Sequence, residues 1–338
     1  MSAGRVLVVG SLNADLTVRT ERFPQPGETL NGSDLVTVPG GKSANQAAAA
    51  AILGSPVALI GAVGKDAHGD LLLDAAREAG VDVSSVLQRT DAATGTAMIV
   101  VDAAGENTII VSAGANGTLR PEDLDPEAFA GAAAVCLSLE IPLETVQAAA
   151  LAGHRAGARV LLNLSPYREV PAELLAATDV LLVNAHEAAL LADVAQPIAD
   201  WDLVRQRFAG LGITRAVVTL GGDGAVVLED HAGGDGDRDA VGVAGGGGSP
   251  GGGPAAGAGG KDKSASGEDR GIHRIAATRV DVVDTTGCGD AFTAAVAHRL
   301  ADGSSLTEAA GFAVKAGALA ATQAGAQSSY GALRPLRT

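Results

Sequence analysis

Short apolar runs alternate with alanine-rich stretches along most of this chain, and that alternation limits what it can fold into. Val6–Val9, Val57–Ile60, Ala133–Leu139, Arg159–Leu162, Val180–Val183 and Ala216–Leu220 read as buried strands. Ser43–Leu53, Gly69–Ala79, Glu144–Ala156, Glu187–Ala192, Asp290–Leu300 and Leu306–Ala321 read as helices, the first two ended by Gly54 and Gly80. Strands without polar alternation, separated by helices, belong to a mostly parallel sheet covered on both faces. The fold class expected is therefore α/β, a central mostly parallel sheet flanked by helices on both faces. Ligands of such sheets bind beyond the carboxyl ends of the strands.

Two segments break the rhythm. Residues 12–38 and 95–111, the latter with a hairpin-like Asp102–Asn107 turn, read as strands without helices. They are expected to form a small β-sheet lid on a single domain of 338 residues. The third break, Gly233–Gly271, is dominated by glycine and has almost no large apolar residue, so it is expected to be a disordered insertion.

Composition narrows the function. Apolar residues make up 47% of the chain and aromatics 2%, so the core must be built from Ala, Val and Leu. A formal charge of −15 repels nucleic-acid backbones and anionic lipid, so neither a nucleic-acid nor a membrane partner is expected. The two cysteines, Cys136 and Cys288, match no CxxC spacing, which argues against a disulfide scaffold or zinc site. A cytoplasmic location is the expectation.

The segment Asp284-Thr285-Thr286-Gly287-Cys288-Gly289-Asp290 carries chemistry. It follows the strand-like Arg279–Val283 and precedes a helix. Gly287, Cys288 and Gly289 place small residues where helix-start N–H groups can approach an anion, which suits a phosphoryl group. Asp290 beside them has two readings. As a base it accepts the proton of a hydroxyl attacking a γ-phosphate; as a structural residue it caps the helix. The dipole is expected to give it a low pKa. Two other phosphate motifs fail. A Walker A reading of Gly41-Lys42-Ser43 needs a glycine where Val36 stands, and a Rossmann reading after Gly287 needs one where Phe292 stands.

Ordered motifs run the length of the chain: Gly10–Asp15, Phe23–Thr29, Gly40–Gln46, Gly114–Asn116, Leu139–Glu144, Asn184–Glu187, Thr219–Gly224 and the Asp284–Asp290 loop. In that order they resemble the ribokinase branch of the PfkB carbohydrate kinase family. The resemblance implies ATP-dependent phosphorylation of D-ribose, with another sugar, a deoxyribose or a nucleoside as the alternative substrate, and a non-catalytic sugar-binding regulator as the alternative class. It implies Asn13, Asp15, Gly41, Lys42, Asn45 and Glu140 as sugar contacts, and Asp290 with the Gly287, Cys288 and Gly289 amides as the catalytic set. Asn184 and Glu187 are implied to arrange Mg²⁺ and the phosphates, and Thr219, Gly221 and Gly224 to face the ATP. Asp284, Thr286, Ala320, Gly325 and Ser329 are the implied site of a monovalent cation, usually K⁺. A homodimer through the lid strands is also implied.

Several of these residues have bland alternatives. Asn184 and Glu187 also fit a capping box, Thr219–Gly224 a strand-ending turn, and Asp284 a carboxylate bonded to turn amides. Departures from the family pattern are Ser43 and Cys288, where glycine and alanine are usual. A thiol at a helix start can be acidified, but an inert small side chain is the expectation for Cys288. Val314 stands where a polar or aromatic adenine contact is usual.

Overall fold

A computed structural model of the chain describes residues 4–196, 199–229 and 271–337. The glycine-rich segment lies outside the described residues, apart from Gly271. The long sheet takes its central strands from β1 (Arg5–Val9), β4 (Val57–Gly64), β9 (Ala132–Leu137), β10 (Arg159–Asn163), β11 (Val180–Asn184) and β12 (Arg215–Thr219). The short β5 (Val81–Asp82) and β6 (Val86–Arg89) join it beside β4, and β13 (Ala225–Glu229) and β14 (Ile272–Ile275) close the other edge. The order is β14-β13-β12-β11-β10-β9-β1-β4-β5. Pairing is parallel from β12 to β5, and antiparallel where β12 meets β13 and β13 meets β14.

Successive side chains of a strand point to opposite faces, and both faces here are dry. Val6 and Val8 of β1 enter one core with Leu59 and Val63, while Leu7 and Val9 enter the other with Ile60 and Val135. The first core is covered by α1 (Lys42–Leu53), α2 (Ala67–Glu78), α7 (Cys288–Ala301) and α8 (Leu306–Ala320). The second is covered by α3 (Leu143–Arg155), α4 (Ala172–Ala176), α5 (Ala185–Ala192) and α6 (Trp201–Gly210). Sequence periodicity thus reads correctly as a two-faced α/β sheet. α1 shows why alanine suffices. Ala47, Ala48, Ala49 and Ala50 are all buried, so the helix packs closely against its neighbours.

One strand expected from the sequence does not form. Arg279–Val283 is irregular, with Val282 and Val283 largely exposed. The backbone leaves the sheet edge there and turns to α8, where Val283 and Asp284 N–H groups donate to Ala321 O. A β-branched run without a partner strand stays outside the ladder.

A second sheet of four strands has the order β3-β2-β7-β8, formed by β2 (Asn13–Arg19), β3 (Val36–Gly40), β7 (Gly95–Val101) and β8 (Asn107–Ser112). It leaves the main sheet directly from the carboxyl end of β1. The departure is pinned by Asn116, whose amide accepts from Leu12 N–H at 3.0 Å and donates to Leu12 O at 2.9 Å and to Asn13 Oδ1 at 2.8 Å. Replacing buried Asn116 by alanine orphans both backbone groups of Leu12. The expected cost is roughly 2–4 kcal/mol of unfolding free energy, read from urea denaturation; no change would mean that Leu12 finds other partners.

Candidate active site

The carboxyl ends of the parallel strands deliver the site, as the fold class requires. Asn13 follows β1, Glu140 follows β9, Asn184 ends β11, and Thr219 ends β12. α1 and α7 meet this edge with their N-termini. A cavity of about 180 Å³ lies there, lined by Lys42, Asn184, Glu187, Gly287, Gly289 and Asp290 among others. A more apolar cavity of about 230 Å³ adjoins it, lined by Gly221, Gly224, Val282, Cys288, Val314 and Gly317 among others. Thr219, Gly289 and Phe292 border both.

The start of α7 explains the glycines. Gly287 is the N-cap residue with φ 74°, and a Cβ there would lie 2.7 Å from both Ala326 Cβ and Tyr330 Oη. The buried Tyr330 hydroxyl donates to Gly287 O at 3.0 Å and holds the turn in place. Gly289, two residues into the helix, leaves open space where a side chain would stand. The first amides of a helix lack intrahelical partners; that of Cys288 donates to Thr285 O at 3.2 Å, and Gly289 borders the polar cavity, where a helix start favours an anion.

Asp290 does not cap α7. It sits in the first turn, buried, with Asn45 Nδ2 donating to Oδ2 at 2.9 Å and Gln46 Nε2 to Oδ1 at 3.3 Å. The capping reading is thereby displaced. So is the low pKa expected from the helix dipole. Burial pushes the Asp290 carboxyl above the ordinary value, opposed by the Lys42 charge and the two amide bonds, with Glu140 adding to the rise. Desolvation outweighs the dipole because the group is enclosed rather than at the surface.

Of the residues expected on the sugar side, Asn45 bonds Asp290 directly, and Lys42 and Glu140 act on it by charge. Asn13 is buried and bonded to Asn116. Gly41 caps α1 with φ 89°, and a Cβ there would stand 2.7 Å from Asn13 N. Glu140 Oε2 accepts from Ser11 Oγ at 2.5 Å and from Lys42 N–H at 3.1 Å, so it fixes the start of α1. Asp15 packs against Gly40, whose missing side chain gives it room. Its carboxyl is pushed up to about 7 by burial and by the charges of Glu140 and Asp290. Asn45 has both amide atoms engaged, one on Asp290 and the other accepting from Gln327 Nε2 at 3.1 Å. Ser43, the departure from glycine, pairs its hydroxyl with Ser138 at 2.9 Å.

Asn184 and Glu187 form a reciprocal capping box on α5, each side chain 2.8 Å from the other's backbone N–H. The capping reading is thus present, and both residues also line the polar cavity. Glu187 Oε2 takes the cap bond, and a carboxylate has capacity left for a hydrated Mg²⁺. Thr219, Gly221 and Gly224 likewise form a strand-ending turn, with Leu220 N–H donating to Gly224 O at 2.8 Å, and line the apolar cavity.

Asp284 is held by Thr286 N–H at 2.9 Å, Thr286 Oγ1 at 2.7 Å and Gly325 N–H at 2.8 Å. Partial burial pushes its carboxyl up, but these bonds win and hold it below the ordinary range. The turn-amide reading is thus present. Ser329 is buried and donates to Ala326 O at 2.7 Å, and Gln323 N–H donates to Ala320 O at 3.3 Å. Asp284, Ser329 and the carbonyls of Thr286, Ala320 and Gly325 are all oxygen donors, chemistry that suits K⁺. At Cys288 the inert reading is supported. Burial, then Asp284 and Asp290, push its thiol up to about 11, so the anionic neighbours and desolvation overcome the helix start. Val314 is buried at the apolar cavity, where it presents a nonpolar wall.

Sequence reasoning missed the roles of Gln46, Asn116, Gln327 and Tyr330. The first two stand inside motifs already singled out, where their buried bonds could not be seen. Gln327 and Tyr330 carry no sequence signal.

This geometry defines a phosphotransferase cleft: an anion-binding helix start, a buried carboxylate, and an apolar slot beside it. The pfkB family carbohydrate kinase model matches residues 3–241 and 258–332. A ribokinase of Schizosaccharomyces pombe is 33% identical over 97% of this chain and 95% of its own length. A deoxyribokinase of Salmonella typhi is 31% identical over 96% and 95%. The solved structure of Arabidopsis thaliana ribokinase complexed with ribose and ATP superposes with a TM-score of 0.81, at 31% identity over 99% of each chain. The chain belongs to the pfkB carbohydrate kinase family, and it is a kinase.

The raised carboxyl of Asp15 has a consequence for stability. Its ordinary value is 3.8, and folding moves it to about 7. The folded state therefore binds the proton more tightly, and ionised Asp15 opposes folding above pH 7. In the sugar-free protein, Asp15→Asn should raise the melting temperature at pH 8, with the gain fading as pH falls to 4. A gain independent of pH would refute this.

Proposed function

We propose that this chain transfers the γ-phosphoryl group of ATP to the 5-hydroxyl of D-ribose, giving ribose 5-phosphate and ADP. The observation that carries the reading is the buried Asp290 carboxylate, held by two amides where the glycine-lined start of α7 meets the polar cavity. The 5-hydroxyl loses its proton to Asp290 as its oxygen attacks the γ-phosphorus, and the bond to the bridging oxygen of ADP breaks. Burial that raises the Asp290 carboxyl makes it a better base than a surface aspartate, while Lys42, Asn45 and Gln46 keep the ionised form accessible. The amides of Gly287, Cys288 and Gly289 stabilise the charge on the transferring group. Asn13, Asp15, Gly41, Lys42, Asn45 and Glu140 form the sugar side, and Asp15 as an anion accepts bonds from two neighbouring ribose hydroxyls.

Asn184 and Glu187 hold Mg²⁺ through water; the ion neutralises phosphate charge when bound. Thr219, Gly221 and Gly224 border the adenine-bearing end of ATP. Asp284, Ser329 and the carbonyls of Thr286, Ala320 and Gly325 take K⁺. The chain works in the cytoplasm as a single kinase domain whose four-stranded sheet is the lid; among the described residues no helix is long and apolar enough to cross a membrane. Two copies pair through that lid. Every residue of β8 is exposed, including Ile109, Ile110 and Val111; Val36 of β3 and Met98 of β7 are uncovered, as is Leu35 just before β3. An apolar edge of that kind favours a partner.

Three measurements test the reading. Asp290→Asn should lower kcat by at least about 100-fold while ribose binding by calorimetry persists; unchanged turnover would remove Asp290 from the mechanism. ATP consumption should be fastest with D-ribose in a panel that includes 2-deoxyribose, hexoses and nucleosides, each with and without K⁺. Faster turnover of a nucleoside would overturn the substrate assignment. Light scattering at micromolar concentration should give twice the 33.3 kDa chain mass; a monomer there would rule out the lid pairing.

A further inference from the structure

Both oxygens of Asp290 are gripped by primary amides, and one of those amides is itself steered. Asn45 could present either end to the carboxylate. Gln327 Nε2 donates to Asn45 Oδ1, which leaves Asn45 Nδ2 facing Asp290 Oδ2. The other grip, Gln46, is fully buried, and only its nitrogen is partnered while Oε1 has no bond. Turning that amide round would aim an acceptor at an anion, so the orientation is set by the carboxylate.

Gln327 also stands in a strategic stretch. It opens the 3₁₀ segment Gln327–Leu336, two residues after Gly325, whose N–H holds Asp284. Three residues further on, Tyr330 holds Gly287. One short stretch of backbone therefore touches Asp284, the helix-start turn and, through Asn45, the base.

We propose that Gln327 and Gln46 are positioning residues for phosphoryl transfer: Gln46 acts on Asp290 directly, Gln327 through Asn45, and Gln327 mechanically couples the base to the loop around Asp284. The proposal rests on the reading of Asp290 as the base. Neither residue touches the reacting atoms. Their work is to keep the carboxylate aimed and to favour its ionised form, since donors to a carboxylate stabilise the charge.

Kinetics across pH test it, using the whole enzyme, the sugar turned over fastest in the panel, and saturating ATP. Gln327→Leu should lower kcat roughly 10-fold, the scale of one hydrogen bond to a charged group. KM for the sugar should stay within about threefold, and the acid limb of the kcat profile should move to higher pH because Asp290 loses a donor. Gln327→Glu should be worse. A glutamate cannot donate to Asn45 Oδ1, and its carboxylate competes with Asp290 for Asn45 Nδ2. In a double-mutant cycle, Asp284→Asn and Gln327→Leu should cost less together than the product of their separate effects. If Gln327→Leu melts early, Gln327→Met replaces it with the same outcomes.

Unchanged kcat and acid limb in a folded Gln327 variant would overturn the positioning role, as would a fall in kcat with the acid limb unmoved. Multiplicative effects in the cycle would overturn the coupling. The Asp290→Asn control separates the two levels. Full activity there would sink the base reading itself, whereas an inactive Asp290→Asn beside a normal Gln327→Leu would sink only the positioning proposal.

Discussion

A carboxylate taken out of water must be given partners, and the site is organised around that requirement. Asp290 is enclosed at the start of α7 with no cation bonded to it. Leaving it unpartnered would cost far more than the fold can absorb. Two amides and the nearby charge of Lys42 meet the need without an ion pair. A tight ion pair would hold the proton affinity down, whereas amide partners leave it above the ordinary value. The residues that make burial tolerable are thus the ones that set how readily Asp290 accepts a proton.

The same constraint explains the crowding of acids. Asp15, Glu140 and Asp290 interact, and Asp15 is raised to about 7 by burial and by the other two. Glu140 is quietened by Ser11 and the Lys42 amide, which makes it a support for α1 as well as part of the sugar side. Among the described residues Asp15 accepts no such bond, and in the proposed reaction its carboxylate is the group left for sugar hydroxyls.

Much of this was legible in the sequence. Apolar runs of four to seven residues between alanine-rich stretches point to a mostly parallel sheet, because strands of such sheets are buried on both faces and carry no polar alternation. Gly287–Gly289 followed by Asp290 declares an anion site at a helix start. What failed depended on three-dimensional surroundings. Helix position alone gives Asp290 a low pKa; burial reverses it, and the amides that meet the carboxylate come from α1, more than 240 residues away in sequence. Arg279–Val283 has strand composition but no neighbouring strand. Gln327 looks like any surface glutamine, since its meaning comes only from the amide it faces.

That long reach shapes how the site comes into being. The Asn45–Asp290 bond spans 245 residues and the Gln327–Asn45 bond 282. Contacts so distant in sequence carry a loop-closure cost and form late. During synthesis, β1 and α1 emerge with an amide already waiting and nothing to bind. The base arrives long afterwards, and the residue that aligns it later still. A ribosome-bound chain short of residue 327 holds the sugar-side residues but lacks the alignment that makes them productive, so competence to transfer phosphate arrives in one late step rather than by degrees.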